Sequence, residues 1–130
     1  MSKEKKPEIG TIQWVDLTVR EVERVRDFYS KVAGWKCEPV KMGSYDDYSM
    51  KTPKEGTVVA GVCHSRGVNA DIPPQRLIYI TVADVQKSAN ECINLGGKVV
   101  VDPRSLGSSG RFCVIQDPAG AVAALFEPNK

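Results

Sequence analysis

The chain has 130 residues, of which 18 are Lys or Arg and 16 are Asp or Glu, so its formal net charge is only +2. This length suits one domain with a real core, and the dispersed, nearly balanced charge argues against a nucleic-acid partner. The sequence shows neither the apolar segment of a secretory signal nor a run of about 20 apolar residues, so we expect a cytoplasmic protein without a membrane partner.

Four cysteines are spread along the chain with no Cys-x-x-Cys pair and no histidine at zinc-finger spacing: Cys37, Cys63, Cys92 and Cys113. Cysteine is often buried in cores without any chemical role. We therefore predict four reduced, structural thiols.

The elements follow a repeated order. Residues 1–9 are predicted to be a flexible, solvated tail. A strand over 11–19 precedes a helix with an apolar stripe that ends before Gly34, and three strands follow around 36–40, 47–50 and 57–63. The stripe consists of Val22, Val25, Phe28, Tyr29 and Val32.

A polar stretch over 65–75 is predicted to be a linker, because it is rich in Gly, Asn and Pro. Beyond it the order recurs, with a strand over 77–82, a second helix and strands around 98–101, 111–115 and 121–126. The second helix is predicted to begin at Asp84, to end at Gly96-Gly97 and to bury Val85, Ala89, Cys92 and Ile93.

Self-similarity supports this repetition. A shift of 63 positions places Leu17-Thr18-Val19 on Ile80-Thr81-Val82, and a shift of 64 places Gly56 on Gly120 and 58–62 on 122–126. The sequence thus predicts one α+β domain over 10–128, built from two βαβββ modules, about 10–64 and 76–128. Their curved mixed sheets are expected to surround a cavity.

Two segments carry a family resemblance, "LTVREVERVRDFYSKVAGW" in the first half and "QDPAGAVAALFEP" at the end. They resemble the vicinal oxygen chelate superfamily, which contains glyoxalases, bleomycin-resistance proteins and dioxygenases. The resemblance covers nearly the whole chain, and the second module repeats the opening as "ITVADVQKSANECINLGG". It implies the fold but does not by itself define the function.

The resemblance also implies where a divalent metal would be held. Metal-using members take one ligand from the first strand and one from the last strand of each module, and those positions are here Trp14, Ala60, Leu77 and Ala124. None of these side chains offers the oxygen or imidazole ligand that such an ion requires. We therefore expect no metal and no other cofactor.

Strand alternation predicts which residues face the cavity, because residues two apart share a face. The predicted ligand-binding set is mostly apolar with a few polar groups, and it comprises Trp14, Asp16, Thr18, Ala60, Val62, His64, Leu77, Tyr79, Ala124 and Phe126. Such a surface suits an organic molecule with a hydrophobic or aromatic body. The alternative is that these side chains simply fill a core.

Asp16 and His64 are the candidate catalytic residues. A carboxylate on an apolar face needs a partner or a function, and a salt bridge to Arg20, Arg76 or Arg111 is the simpler explanation. His64, the only histidine, could serve with Asp16 as an acid/base pair or could merely close a strand at the surface.

Three functions remain open on these grounds. The leading hypothesis is a metal-free protein that binds a small, largely hydrophobic or aromatic ligand. The alternative is an enzyme of the lyase, isomerase or dioxygenase-like kind, either metal-free with Asp16 and His64 or using other metal ligands. A weaker possibility is a module whose surface binds a protein. The resemblance also favours a homodimer.

Overall fold

A computed structural model describes residues 7–129, apart from the side chain of Val68. These residues form two α-helices, α1 (Val22–Val32) and α2 (Val85–Asn94), and two short 3-10 helices, Gly67–Asn69 and Gly107–Ser109. The first four strands are β1 (Ile12–Val19), β2 (Lys36–Lys41), β3 (Asp46–Lys51) and β4 (Val58–His64). The last four are β5 (Arg76–Thr81), β6 (Lys98–Ser105), β7 (Gly110–Gln116) and β8 (Val122–Pro128). The predicted α+β fold with βαβββ repeated twice is confirmed.

The chain divides into two compact units. The first unit is Trp14–Leu77, and the second combines the residues up to Gln13 with those from Ile78 onward. Of the predicted N-terminal tail, residues 1–6 lie outside the described part of the chain. Its last residues form a turn, in which the Thr11 N–H donates to the carbonyl of Glu8 over 3.0 Å.

In the first unit the strands lie in the order β2-β3-β4-β1, with β1 parallel to β4 and the other pairs antiparallel. Helix α1 covers one face of this sheet because its first residue, Val22, is fully buried against Met50 of β3 and Val62 of β4. Burying such side chains stabilises the fold by roughly 1.5–3 kcal/mol each. Phe28 and Val32, although part of the predicted stripe, are 54% and 66% exposed.

The second unit repeats this plan in the order β5-β8-β7-β6, with β5 parallel to β8. Val85 and Ala89 of α2 pack on Cys113 of β7 and Leu125 of β8. The helix begins as predicted at Asp84, whose side chain accepts the N–H of Lys87 over 3.1 Å. This cap satisfies one of the donors that a helix start leaves free.

A β-bulge interrupts the first unit at Val59. Met50 pairs with Ala60 and the next residue, Lys51, pairs with Val58, so Val59 is left without an opposite partner on β3. A bulge of this kind inserts one residue and reverses the side-chain alternation beyond it. The bulge therefore decides which face each residue of β4 occupies.

The Asp-Pro turn between β7 and β8 is held by two side chains from its first residues, which bind backbone groups near its end. The Asp117 carboxylate accepts the N–H groups of Ala119 and Ala121 over 2.8 and 3.0 Å. The Gln116 amide donates to the carbonyl of Gly120 over 3.1 Å, so Gln116 closes the turn. No helix in residues 7–129 has the length and apolar character needed to cross a bilayer.

Candidate functional site

Each unit has one sheet face that its own helix does not cover, which we call the helix-free face. In the first unit the register pairs Asp16 with Gly61 and Thr18 with Cys63. Neighbouring residues of parallel strands share a face, so these four lie together, with Trp14 two residues before Asp16. Leu17 and its partner Val62 occupy the opposite, α1-covered face.

This register corrects the predicted face of β4. Ala60 and Val62 were expected beside Asp16, but both line a cavity under α1 together with Tyr29. The prediction aligned Gly56 with Gly120 at a shift of 64 residues and applied the same shift to all of β4. The bulge at Val59 absorbs the extra residue, so Gly61 and Cys63 take the predicted places.

In the second unit the predicted alternation is correct. Tyr79 pairs with Ala124 and Thr81 with Phe126 on the helix-free face, whereas Leu125 packs against α2. Ala124 is fully buried, as is Leu77, while Tyr79 and Phe126 are half-buried. Ala124 and Leu77 are thus buried in this structure, as core side chains are, and their contact with a ligand stays a prediction.

The two registers also show which residues of the two units correspond at the positions that the family resemblance implies for metal ligands. Asp16 and Tyr79 are 63 residues apart, as are their partners Gly61 and Ala124. The counterpart of Ala124 is thus Gly61 rather than Ala60. None of the four residues at these positions offers a metal ligand: they are Trp14, Gly61, Leu77 and Ala124. Their side chains therefore do not fit a divalent ion.

A tryptophan–carboxylate pair occupies the metal-ligand region of the first unit. The indole Nε1–H of Trp14 donates to Oδ1 of Asp16 over 2.5 Å. A Cβ atom at Gly61 would collide with that same oxygen and would come within 3.3 Å of the Trp14 ring. Gly61 is required here because only a residue without a side chain leaves room for the pair.

The Cys63 thiol lies next to two carboxylates on this face. Burial is the main cause that raises its pKa, and the negative charges of Asp16 and Asp47 raise it further. A thiolate is disfavoured near like charge in a poorly solvated place. Cys63 is therefore a neutral thiol rather than a nucleophile.

His64 is bound to Asp47 of β3 and not to Asp16. Its backbone N–H and its ring Nδ1 both contact Oδ1 of Asp47, over 2.9 and 3.0 Å, and its Nε2 lies 3.8 Å from Glu23. The register places Asp16 three residues from the partner of His64, about 10 Å along the strands. The predicted acid/base pair is thus not formed.

His64 is the last residue of β4, as the alternative predicted, but it does not lie at the surface, since its side chain is only 14% exposed. The Tyr45 ring packs edge-on against the imidazole at 4.8 Å between centroids. Sequence reasoning missed Asp47 because this partner comes from another strand, 17 residues earlier. The sequence did offer one sign of such a partner, because the third strand begins with two aspartates, Asp46 and Asp47.

A cavity of about 650 Å³ opens beside Thr18 at the end of β1. Val19 and Val25 line it from β1 and α1, and residues 70–74 of the predicted linker form another wall. Within that stretch Ile72 is only 5% exposed. The linker therefore contributes to a cavity, and its single isoleucine was the available sign.

We expect the four thiols to differ sharply in their reaction with iodoacetamide at pH 7.5. Cys37 is exposed, whereas burial raises the pKa of Cys113 to about 11 and that of Cys63 still higher. Only thiolates alkylate quickly, so mass spectrometry should find Cys37 labelled first, and Cys63 and Cys113 labelled only after unfolding. Rapid labelling of Cys63 in the folded protein would contradict the geometry described above.

Comparison with known proteins gives the class of the chain. Residues 11–125 match the model of the Glyoxalase/Bleomycin resistance protein/Dioxygenase superfamily. The match covers most of the sequence, and the chain belongs to this superfamily.

Two kinds of curated relatives are similar in sequence. "Putative glyoxylase CFP32" of Mycobacterium bovis is 32% identical over 123 residues, which cover 93% of this chain and 47% of that protein. The anthracycline biosynthesis protein DnrV of Streptomyces peucetius is 27% identical over 132 residues, covering 90% and 46%. The chain spans about half the length of these relatives.

Solved structures show the same fold at low sequence identity. A methylmalonyl-CoA epimerase from Mycobacterium tuberculosis has a TM-score of 0.55 and 15% identity, over 93% of this chain and 89% of that one. The hypothetical protein BH1468 from Bacillus halodurans has a TM-score of 0.59 and 11% identity, over 95% and 97%.

Proposed function

We propose that this protein binds a small, largely hydrophobic or aromatic organic molecule without a metal. The observation that carries the proposal is the Trp14–Asp16 pair lying over Gly61, where metal-using members place ligand side chains. An indole provides a flat apolar surface, and the carboxylate beside it accepts hydrogen bonds. The preferred ligand thus combines an apolar body with a donor group, such as an amine or a hydroxyl.

The cavity beside Thr18 supports this proposal because its volume is large enough for a small organic molecule. Small-molecule sites commonly enclose about 300–1,000 Å³ with mostly apolar walls, and about 650 Å³ falls within that range. Thr18 lies two residues after Asp16 on the same face, about 7 Å along the strand. Asp16 itself does not line the cavity, so a ligand that binds both must extend its polar group beyond Thr18 toward Asp16.

The protein is further proposed to act in the cytoplasm as a homodimer. The names of the curated relatives, a glyoxylase and an anthracycline biosynthesis protein, are compatible with work on small organic molecules. Light scattering coupled to size exclusion tests the dimer, and a monomer at micromolar concentration would overturn that part of the proposal.

Elemental analysis of the purified, untagged protein, followed by a thermal-shift screen, tests the binding function. We expect less than a tenth of a metal ion per chain, no change of Tm with zinc, nickel or manganese, and a rise of Tm with some apolar amines or phenols. A ligand present at about 100 times its Kd would add about 2.7 kcal/mol to the free energy of unfolding. Roughly one tightly bound metal per chain would refute the proposal.

Two conservative variants connect such a ligand to the proposed site. Asp16→Asn keeps the shape but removes the charge, and Trp14→Phe keeps an aromatic ring but removes the indole N–H. We expect Asp16→Asn to weaken the binding of an amine at least about tenfold, since hydrogen bonds to charged groups contribute roughly 1.5–3 kcal/mol. Asp102→Asn, at an exposed residue of the second unit that does not line the cavity, is the matched control.

A metal-free enzyme is the second candidate, and the contact between His64 and Asp47 favours it. A carboxylate on Nδ1 fixes the tautomer and orientation of an imidazole, which leaves Nε2 able to exchange a proton. This version uses Asp47 and His64 rather than Asp16 and His64. Turnover of a candidate substrate that survives His64→Gln unchanged would exclude it.

A further inference from the structure

A second cavity, of about 190 Å³, lies on the α1-covered face of the first unit. Val15, Leu17 and Val62 form its apolar sheet side, and Ala60 leaves space there because its side chain is small. Protein interiors are normally packed with few voids larger than a water molecule. An apolar cavity of about 150 Å³ is enough to admit benzene, so this one has room for a single aromatic ring.

Two aromatic side chains line the same cavity from the helix and the residues after it. The rings of Tyr29 and Trp35 have centroids 5.7 Å apart and are tilted by 36°. Aromatic rings attract one another in offset or edge-on arrangements over about 4.5–7 Å. A third ring entering the cavity would extend this pair.

A positive charge adjoins the aromatic wall. The guanidinium of Arg76 lies 4.5 Å from the centroid of the Tyr29 ring, and Arg76 itself lines the cavity. The guanidinium contacts the Tyr29 ring with its flat face. Its N–H groups lie in the plane of the guanidinium, so they stay available to bind a carboxylate through two hydrogen bonds. The cavity therefore offers an apolar pocket and a cation at one place.

We propose that this cavity is a binding site for a small aromatic carboxylate of about the size of benzoate. The ring would lie between Tyr29, Trp35 and Ala60, and the carboxylate would bind Arg76. This site is separate from the one proposed above, because it lies under α1 on the opposite face of the sheet from Asp16.

The two tryptophans of the chain give each site its own reporter. In a nitrogen–proton correlation spectrum of the full chain, titration with sodium benzoate should shift the indole signal of Trp35 and leave that of Trp14 unchanged. Trp14→Phe assigns the two signals. Benzylamine, which has a similar ring and the opposite charge, should bind at least about tenfold more weakly.

Variants make the assignment specific. Ala60→Leu fills the cavity and should abolish the Trp35 shift, with Ala60→Val as a milder version should the larger residue prevent folding. Ala83→Leu, an exposed change in the second unit, is the matched control. Arg76→Gln should weaken benzoate about tenfold and remove its preference over benzylamine.

Three outcomes would overturn the site. These are the absence of a Trp35 shift in the wild-type protein at millimolar benzoate, a shift that persists in folded Ala60→Leu or Ala60→Val, and an unchanged benzoate affinity in Arg76→Gln. A failure of the Asp16 site would appear separately, as insensitivity of other ligands to Asp16→Asn. The two proposals can thus fail independently.

Discussion

Replacing Gly61 by alanine is expected to lower the free energy of unfolding by about 2 kcal/mol and to remove binding at the Asp16 site. The new Cβ would overlap Oδ1 of Asp16 and come within 3.3 Å of its Cγ, so the carboxylate must move. Moving it breaks the hydrogen bond from Trp14, which contributes roughly 1.5–3 kcal/mol because one partner is charged.

A double-mutant cycle tests this explanation. In an Asp16→Ala background the atoms that would collide with the new Cβ are absent. Gly61→Ala should then lower the free energy of unfolding by less than about 0.5 kcal/mol, because the remaining neighbour, the Trp14 ring, lies 3.3 Å away. Urea denaturation of the four proteins measures the coupling. Equal costs of Gly61→Ala in both backgrounds would show that Asp16 does not occupy the space beside Gly61.

Gly110→Ala should have a still larger effect on stability, with a loss of about 4 kcal/mol. Gly110 has φ of +145°, a conformation that residues with a side chain rarely adopt. A Cβ there would collide with the backbone carbonyl of Glu127 and would lie 3.0 Å from Cα of Pro128. Backbone atoms of a paired strand cannot turn aside, so β8 itself would have to shift.

The damage should extend from β8 to helix α2. The carboxylate of Glu127 accepts the N–H of Val85 over 2.9 Å, so displacing this residue removes a partner from the helix start. Gly107→Ala is the control, because Gly107 has φ of +64° but open space around its missing Cβ. Thermal denaturation should show a much smaller loss for Gly107→Ala, and similar losses for both would refute the steric argument.

Periodicity predicted the elements well because the sheets and helices are regular over most of their length. The strand expected over 77–82 is β5, Arg76–Thr81, and the helix stripe starting at Val22 is α1. Such patterns arise from which side chains a strand or helix buries, and this information is local. The repeat and two segments, residues 17–35 and residues 116–128 with the turn Asp117-Pro118-Ala119-Gly120, indicated the superfamily.

The site was predicted less completely, for two physical reasons. The bulge at Val59 is set by pairing with β3, and the sequence of β4 gives no sign of it, so Ala60 and Val62 were assigned to the wrong face. Contacts between strands, such as His64 with Asp47, depend on register as well. Trp14, Asp16, Thr18, Tyr79 and Phe126 remain predicted ligand contacts.

The shared register of the two units has a consequence for how such a protein can change its chemistry. Asp16 with Gly61 and Tyr79 with Ala124 hold the same places in two parallel ladders, although no side chain is alike. Parallel strands are joined through main-chain groups, so pairing tolerates almost any residue that fits the face. Substitutions at 14, 16, 77, 79 and 124, and at 61 once Asp16 is replaced, can accordingly accumulate in evolution, and one half of a duplicated scaffold can acquire polar groups while the other becomes apolar.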